Sequence, residues 1–276
     1  MIYLTNVIQI QKLTKTYGSF TVFSDLDFSI KTNSSTAIIG PNGCGKTTLL
    51  KSILGLTKTN YGTISLFDRP IIINGSINSK LLVQSRKKIG FVPDNVVFFE
   101  HLTAFEYLKL IRVMTHENND KNDNQIINTV LKEFRLDRWS NRLIHTFSTG
   151  TRQKLAVAAS LIHAPELLIL DEPFRGIDPE IHFKLLHFLK EFKTSGLPNL
   201  GIEKHGSIFI CSHVLGDIEQ LCDALILMNE YGEIVLSGDT KTVKEQLLGD
   251  KSFEELLYQL LREENEEEEN DQLGDE

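Results

Sequence analysis

Gly40, four residues, then Gly45-Lys46-Thr47 place three kinds of chemistry at fixed spacing: backbone able to turn its N–H groups inward, an ammonium and a hydroxyl. The surrounding "AIIGPNGCGKTTLL" satisfies the G-x-x-x-x-G-K-[ST] pattern of a phosphate-binding loop. Glycine tolerates positive φ and close approach to a ligand, so the backbone of Gly40, Pro41, Asn42, Gly43, Cys44 and Gly45 can cradle phosphate oxygens. A helix expected from Thr47 to Leu54, with Thr48 in its first turn, adds unpaired N–H groups and the positive end of its dipole. Lys46 is placed to reach the β- and γ-phosphates, and the Thr47 hydroxyl to ligate Mg²⁺. An expected strand at Ala37-Ile38-Ile39 supplies the context a phosphate loop requires, and the segment reads as nucleotide-binding.

A phosphate loop alone leaves kinase, GTPase and transport motor open. In "ELLILDEPFRGIDPE" an apolar run carries Asp171 and Glu172 to the carboxyl end of a buried strand, where open α/β sheets place their ligands. Asp171 suits the Mg²⁺ shell and Glu172 suits a general base polarising the attacking water. The plainer alternative is a solvated strand end followed by a proline turn. Upstream, Ser148-Thr149-Gly150 precedes a helix whose Leu155, Ala158, Ala159 and Ile162 share one face. Ser148 is a good N-cap there. The same hydroxyl, glycine backbone and helix start also make a second anion site, and one ATP cannot easily use two such sites on one chain. The second therefore points to a neighbour's nucleotide.

The elements that must hold these residues follow from patterning. "VIQIQKL" and "DLDFSI" alternate apolar and polar residues around the turn signal "TYGSF", and "GTISLF" follows the first helix, which reads as a small antiparallel layer. A strand from Lys88 to Val92 leads into helical spacing over Thr103 to Met114 and Gln125 to Phe134, an inserted helical lobe covering about 94–165. From Leu167 on, strand and helix alternate (Leu167 to Leu170, Pro179 to Phe192, Ser207 to Cys211, Val214 to Leu221, Ala224 to Met228), the pattern of a parallel sheet with crossover helices. "TSGLPNLGIEKHGS" is expected to be a surface loop.

With 276 residues, 41% of them hydrophobic, the chain can bury a large core as one domain or one domain with a lobe. No apolar run approaches the roughly 20 residues a membrane span needs, and "MIYLTNVIQIQ" lacks the pattern of a secretion signal, so a cytoplasmic protein without direct membrane insertion is expected. Cys44, Cys211 and Cys222 have no paired spacing and suit reduced, buried thiols. The net charge of −8 is local: "REENEEEENDQLGDE" holds nine acids and one base, leaving the remainder balanced and without a bulk preference for nucleic acid. A division follows into a nucleotide-binding domain over 1–250 and, over 251–276, a C-terminal helix and a disordered acidic tail.

Taken together, the motifs resemble the nucleotide-binding subunits of ABC transporters, in the family's order, over roughly Val7 to Ser237. Tyr17 matches the aromatic that stacks on adenine, Gly40 to Thr48 the phosphate loop, and Ser148 and Gly150 the signature motif. Asp171 and Glu172 match the magnesium and base carboxylates, Asp178 the D-loop aspartate, and His213 the switch histidine. The resemblance implies an α/β P-loop NTPase core with a mainly parallel sheet, an N-terminal antiparallel layer and an inserted helical lobe. It implies ATP and Mg²⁺ as cofactors. It also implies head-to-tail pairing with a second copy or a homologous ATP-binding subunit, and a separate membrane permease that holds the subunit at the inner face of the cell membrane. "KKIGFVPDNVVFFEHLTAFEYL" and "SHVLGDIEQLCDALILM" are most similar to the bacterial multidrug and antibiotic-export branch. Permease-free regulatory factors and nucleotide-gated scaffolds with little hydrolysis are the alternative functions.

Besides the connection "TSGLPNLGIEKHGS", which is longer than usual, three places depart from the family's pattern. Gln is usual where Asp94 stands, its amide carbonyl facing Mg²⁺; Asp keeps an oxygen ligand, loses the amide donor and adds negative charge beside a triphosphate. Thr149 and Thr151 replace the usual Gly and Gln of the signature. The D-loop carries Arg175 and Ile177 around Gly176.

Overall fold

The computed structural model describes residues 6–115, 122–200, 202–212 and 214–247. Strands β1 (Asn6–Tyr17) and β2 (Phe20–Lys31) form the first hairpin, and β3 (Ser35–Ile39) runs into helix α1 (Lys46–Ile53). Then come β4 (Tyr61–Leu66), β5 (Arg69–Ile73), β6 (Ser76–Ile77), α2 (Ser79–Arg86) and β7 (Ile89–Val92). Helices α3 (Ala104–Thr115), α4 (Asp123–Glu133) and α5 (Thr149–Leu161) separate β7 from β8 (Leu167–Asp171). The remaining elements are α6 (Pro179–Thr194), β9 (Ser207–Cys211), α7 (Leu215–Leu221), β10 (Ala224–Met228), β11 (Ile234–Asp239) and α8 (Thr240–Leu247).

Two sheets result, ordered β2-β1-β4-β5-β6 and β11-β10-β3-β9-β8-β7. The first is antiparallel throughout; in the second all pairs are parallel except β10 with β11. A parallel strand covered on both faces reads as a continuous apolar run, and β3, β8 and β9 are buried at every residue. Their side chains alternate between two cores. Ile38, Ile169, Phe209 and Ile226 join the core shared with the antiparallel sheet and with Leu49, Leu50 and Ile53 of α1. Ala37, Leu168, Ile208 and Leu225 join the core built with α3 to α6. The sheet thereby fixes the carboxyl ends of β3, β9, β8 and β7 in a row against two packed layers.

Several expectations about local structure change. The hairpin β5–β6 turns at Asn74-Gly75, both at positive φ, a dipeptide whose preference for left-handed backbone is a strong turn signal. Helix α2, capped by the Asn78 side chain accepting from Leu81 N, is a further addition. The segment between α6 and β9 is not purely a surface loop: Leu197, Leu200 and Ile202 are buried and join the helical-side core, and Leu197 and Ile202 exchange backbone hydrogen bonds. Its exposed polar residues hide three apolar anchors. The cysteines are all free and buried, as expected. Within the lobe, Arg112 pairs with Asp123 and donates to the Ile162 carbonyl at 2.8 Å, tying α3 to α4 and to the end of α5. The expected tail, 251–276, lies outside the described residues.

Candidate active site

The phosphate loop closes between β3 and α1 because two of its glycines have no substitute. A Cβ on Gly40 would stand 2.6 Å from the Met228 carbonyl oxygen and 2.9 Å from Cys44 Sγ. Gly45, the N-cap of α1, has φ +103°, and a Cβ there would meet Val22 Cγ1 at 2.7 Å. No side chain caps this helix and no acidic residue occupies its first turn. No capping oxygen or acid therefore answers its opening N–H groups and positive dipole end, a condition that favours binding an anion.

Lys46 Nζ donates to the Gly40 and Pro41 carbonyls at 2.7 and 2.8 Å, so the ammonium spans the loop from inside. Thr47 Oγ1 donates to Asp171 Oδ2 at 2.7 Å, bringing two hard oxygen groups from α1 and β8 together. Asp171 is 2% exposed. Burial raises its pKa above the ordinary value of 3.8, and the Asp94 charge adds to this, while the Thr47 hydrogen bond and the Lys46 charge oppose it. Burial likewise raises the Cys44 thiol, with Lys46 opposing.

Glu172 leaves the strand in a conformation uncommon for a side chain of its kind, φ +50°. Its N–H still donates to the Cys211 carbonyl at 3.0 Å, so the sheet's last rung holds the turn in place. Strain of this sort costs of order 1–3 kcal/mol and persists where the surroundings over-determine it, commonly at functional sites. Pro173 follows, its carbonyl accepting from Gln153 Nε2 of α5 at 2.9 Å.

These groups line one cleft of about 780 Å³, bounded by the loop from Gly40 through Thr48 apart from the inward-buried Cys44, together with Asp94, Asp171, Glu172 and Arg175. Arg175 is the lining residue to which sequence reasoning gave no role. Its Nη1 donates to both oxygens of Asp94, at 3.0 and 3.2 Å. The only available signal was that both positions depart from the expected pattern.

Besides Cys44, the predicted residues Tyr17, Ser148, Gly150 and Asp178 do not line the cleft. Tyr17 ends β1 in an exposed position, with Lys15 Nζ 3.8 Å from its ring centre and its hydroxyl 3.4 Å from Thr57 Oγ1. Ser148 caps α5, its Oγ accepting from Thr151 N at 3.4 Å and lying 3.0 Å from Thr151 Oγ1. Gly150 lies in the first turn of that helix, where a Cβ would approach Ile181 Cδ1 at 3.2 Å and Asp178 Oδ2 at 4.0 Å. Asp178 in turn caps α6 by accepting from Ile181 N at 3.0 Å, with Pro179 in the first turn. His213 lies outside the described residues.

Comparison with known proteins agrees with this geometry. The family model described as ABC transporter matches residues 23–175. The bacitracin transport ATP-binding protein BcrA of Bacillus licheniformis is 35% identical over 227 residues, 82% of this chain and 68% of that protein. The lantibiotic transport ATP-binding protein SrtF of Streptococcus pyogenes is 31% identical over 233 residues, 84% of this chain and 91% of that one. A solved structure of an ATP-binding subunit of an ABC transporter superposes with a TM-score of 0.78 at 28% identity, covering 92% of this chain and 99% of its own. The chain belongs to the ABC transporter family, as an ATP-binding and ATP-hydrolysing subunit.

Proposed function

We propose that this subunit works as half of a head-to-tail pair that closes around two ATP molecules and drives a separate membrane permease in export. The observation that carries the reading is a division of parts. One cleft gathers the phosphate loop, the Thr47–Asp171 pair and Glu172, whereas the exposed Ser148–Gly150 helix start stands outside it. In a two-fold pair, the Ser148 end of each copy covers the cleft of the other. Export is supported by relatives named for bacitracin and lantibiotic transport. Among the described residues no helix is long and apolar enough to cross a membrane, which suits a subunit held at the membrane's inner face by its permease. The domain spans 1–250, and the helical lobe of 94–165 passes motion to the permease.

In this reading Lys46 and the α1 N-terminus bind the β- and γ-phosphates, and Tyr17 stacks on the base. The residues fit Mg²⁺: a hydroxyl and a carboxylate oxygen already adjacent are hard donors, and this ion is ordinarily held by one or two carboxylates plus substrate phosphates. Thr47 and Asp171 would hold it, with Asp94 beside them. Bound Mg²⁺ supplies neutralisation of phosphate charge. Glu172 orients the attacking water and takes its proton, and loss of the γ-phosphate lets the halves part.

Glu172→Gln tests the assignment. A positioned general base contributes roughly 10²- to 10⁴-fold, so phosphate release should fall by that factor while ATP still binds and a closed dimer accumulates on sizing columns. Unchanged turnover overturns the role. For the shared site, mixed dimers of Lys46→Ala and Ser148→Arg chains should regain activity that neither parent has.

A further inference from the structure

Two departures from the family's usual residues meet at the mouth of the cleft. Asp94 lies just beyond the end of β7, on the segment that leads into the lobe, and Arg175 lies on the turn beyond β8. These strands are parallel neighbours, with Val92 beside Leu170, so their carboxyl ends bring together residues far apart in sequence. One guanidinium nitrogen reaches both carboxylate oxygens of Asp94, at 3.0 and 3.2 Å.

We infer that Arg175 is a positioning residue for the ATP site, holding the Asp94 carboxylate in place and cancelling its charge where the triphosphate binds. The inference rests on the cleft being that site. Three acids, Asp94, Asp171 and Glu172, line the cleft against two cations, Lys46 and Arg175. Removing Arg175 leaves a polyanionic ligand facing three carboxylates and one cation. A glutamine in place of Asp94 would need no such partner, so the pair acts as a unit: the acid accounts for the arginine. Fold stability does not account for it, because the Arg175 side chain is 67% exposed and that of Asp94 25%, and bridges this open to water add little to folding. The bridge also ties the lobe's first segment to the turn that precedes α6, and so fixes where the Asp94 oxygens stand relative to Thr47 and Asp171.

The test is a four-way cycle on the full chain, measuring MgATP affinity by displacement of a fluorescent ATP analogue. Arg175→Ala should bind MgATP roughly tenfold more weakly, the effect of one uncompensated charge a few ångströms from the phosphates in a partly solvated site. Its unfolding midpoint should stay within a degree or two of wild type. Arg175→Lys should restore most of the affinity. In the Asp94→Gln background, Arg175→Ala should cost clearly less than in wild type, because the loss of carboxylate positioning drops out and only the loss of the arginine's own charge remains. Equal affinity of wild type and Arg175→Ala overturns the inference, as does the same loss in both backgrounds. Failure of the wild type itself to bind MgATP overturns the site assignment, a separately readable outcome.

Discussion

The phosphate cleft and the Ser148–Gly150 helix start are both anion sites by sequence, yet they are built on opposite principles. In the cleft, the helix N-terminus is left uncapped: Gly45 has no side chain to offer, and the first turn of α1 has no acid. At the second site the Ser148 hydroxyl already caps α5, and the adjoining start of α6 is capped by Asp178. The first surface is concave and holds its own ammonium, hydroxyls and three carboxylates. The second is largely exposed, with Gly150 facing Ile181 of the neighbouring helix. A capped helix start satisfies part of its own N–H inventory and needs less from a ligand. The cleft is therefore the better suited of the two to hold nucleotide on one chain, and in the proposed pair the helix start would complete the site of the other copy.

The largest expected effect separates the two through their glycines. Gly45→Ala sets a Cβ 2.7 Å from Val22 at φ +103°, combining left-handed strain with a clash in a core strand, so a loss of stability of at least about 2–3 kcal/mol is expected. ATP binding by the isolated chain should vanish, as read by equilibrium dialysis. Gly150→Ala meets the flexible end of Ile181, at 3.2 Å, and Asp178 Oδ2 at an ordinary 4.0 Å. The chain should fold and bind ATP with wild-type affinity but lose most of its turnover, roughly tenfold or more if the pair must close over that helix. Equal damage to ATP binding by both variants breaks the comparison.

A smaller effect comes from Asp171. Burial, reinforced by the Asp94 charge, raises its pKa in the folded chain. The folded state then binds the proton more tightly than the unfolded state. Stability from this group is present below the unfolded value and falls as pH rises through the folded one. Asp171→Asn removes that penalty. Without nucleotide it should melt a few degrees higher than wild type at neutral pH, the gap narrowing as pH drops toward the ordinary carboxylate range, while Mg²⁺-dependent ATP binding is lost. A variant less stable at neutral pH contradicts the sign.

What could be read from the sequence divides along the same line. The cleft was legible because its backbone admits few residue types: glycine at 40 and 45, lysine and threonine directly after, and a buried strand ending in Asp171. The parallel strands were legible as unbroken apolar runs. Hairpin β5–β6 carried its signal in Asn74-Gly75 but followed three consecutive isoleucines, which obscured the alternation of a half-buried strand. The burial of Leu197, Leu200 and Ile202 was hidden because apolar anchors spaced irregularly in a polar stretch have no period. The Asp94–Arg175 bridge joins residues 81 positions apart, and only the adjacency of β7 and β8 brings them together.

The smallest effect tests whether Ser148 is more than a cap. As an N-cap it contributes about 1 kcal/mol, and Ser148→Ala should cost that much in thermal unfolding, close to the cost of Asp178→Ala at the neighbouring helix. Glycine at an N-cap loses only a few tenths of a kcal/mol. Ser148→Gly should therefore leave stability nearly intact while still removing the hydroxyl that a partner's nucleotide would meet. If turnover falls in Ser148→Gly as far as in Ser148→Ala, the hydroxyl acts beyond its own helix. If turnover follows stability across the two variants, the serine is a cap and the second anion site rests on backbone N–H groups alone.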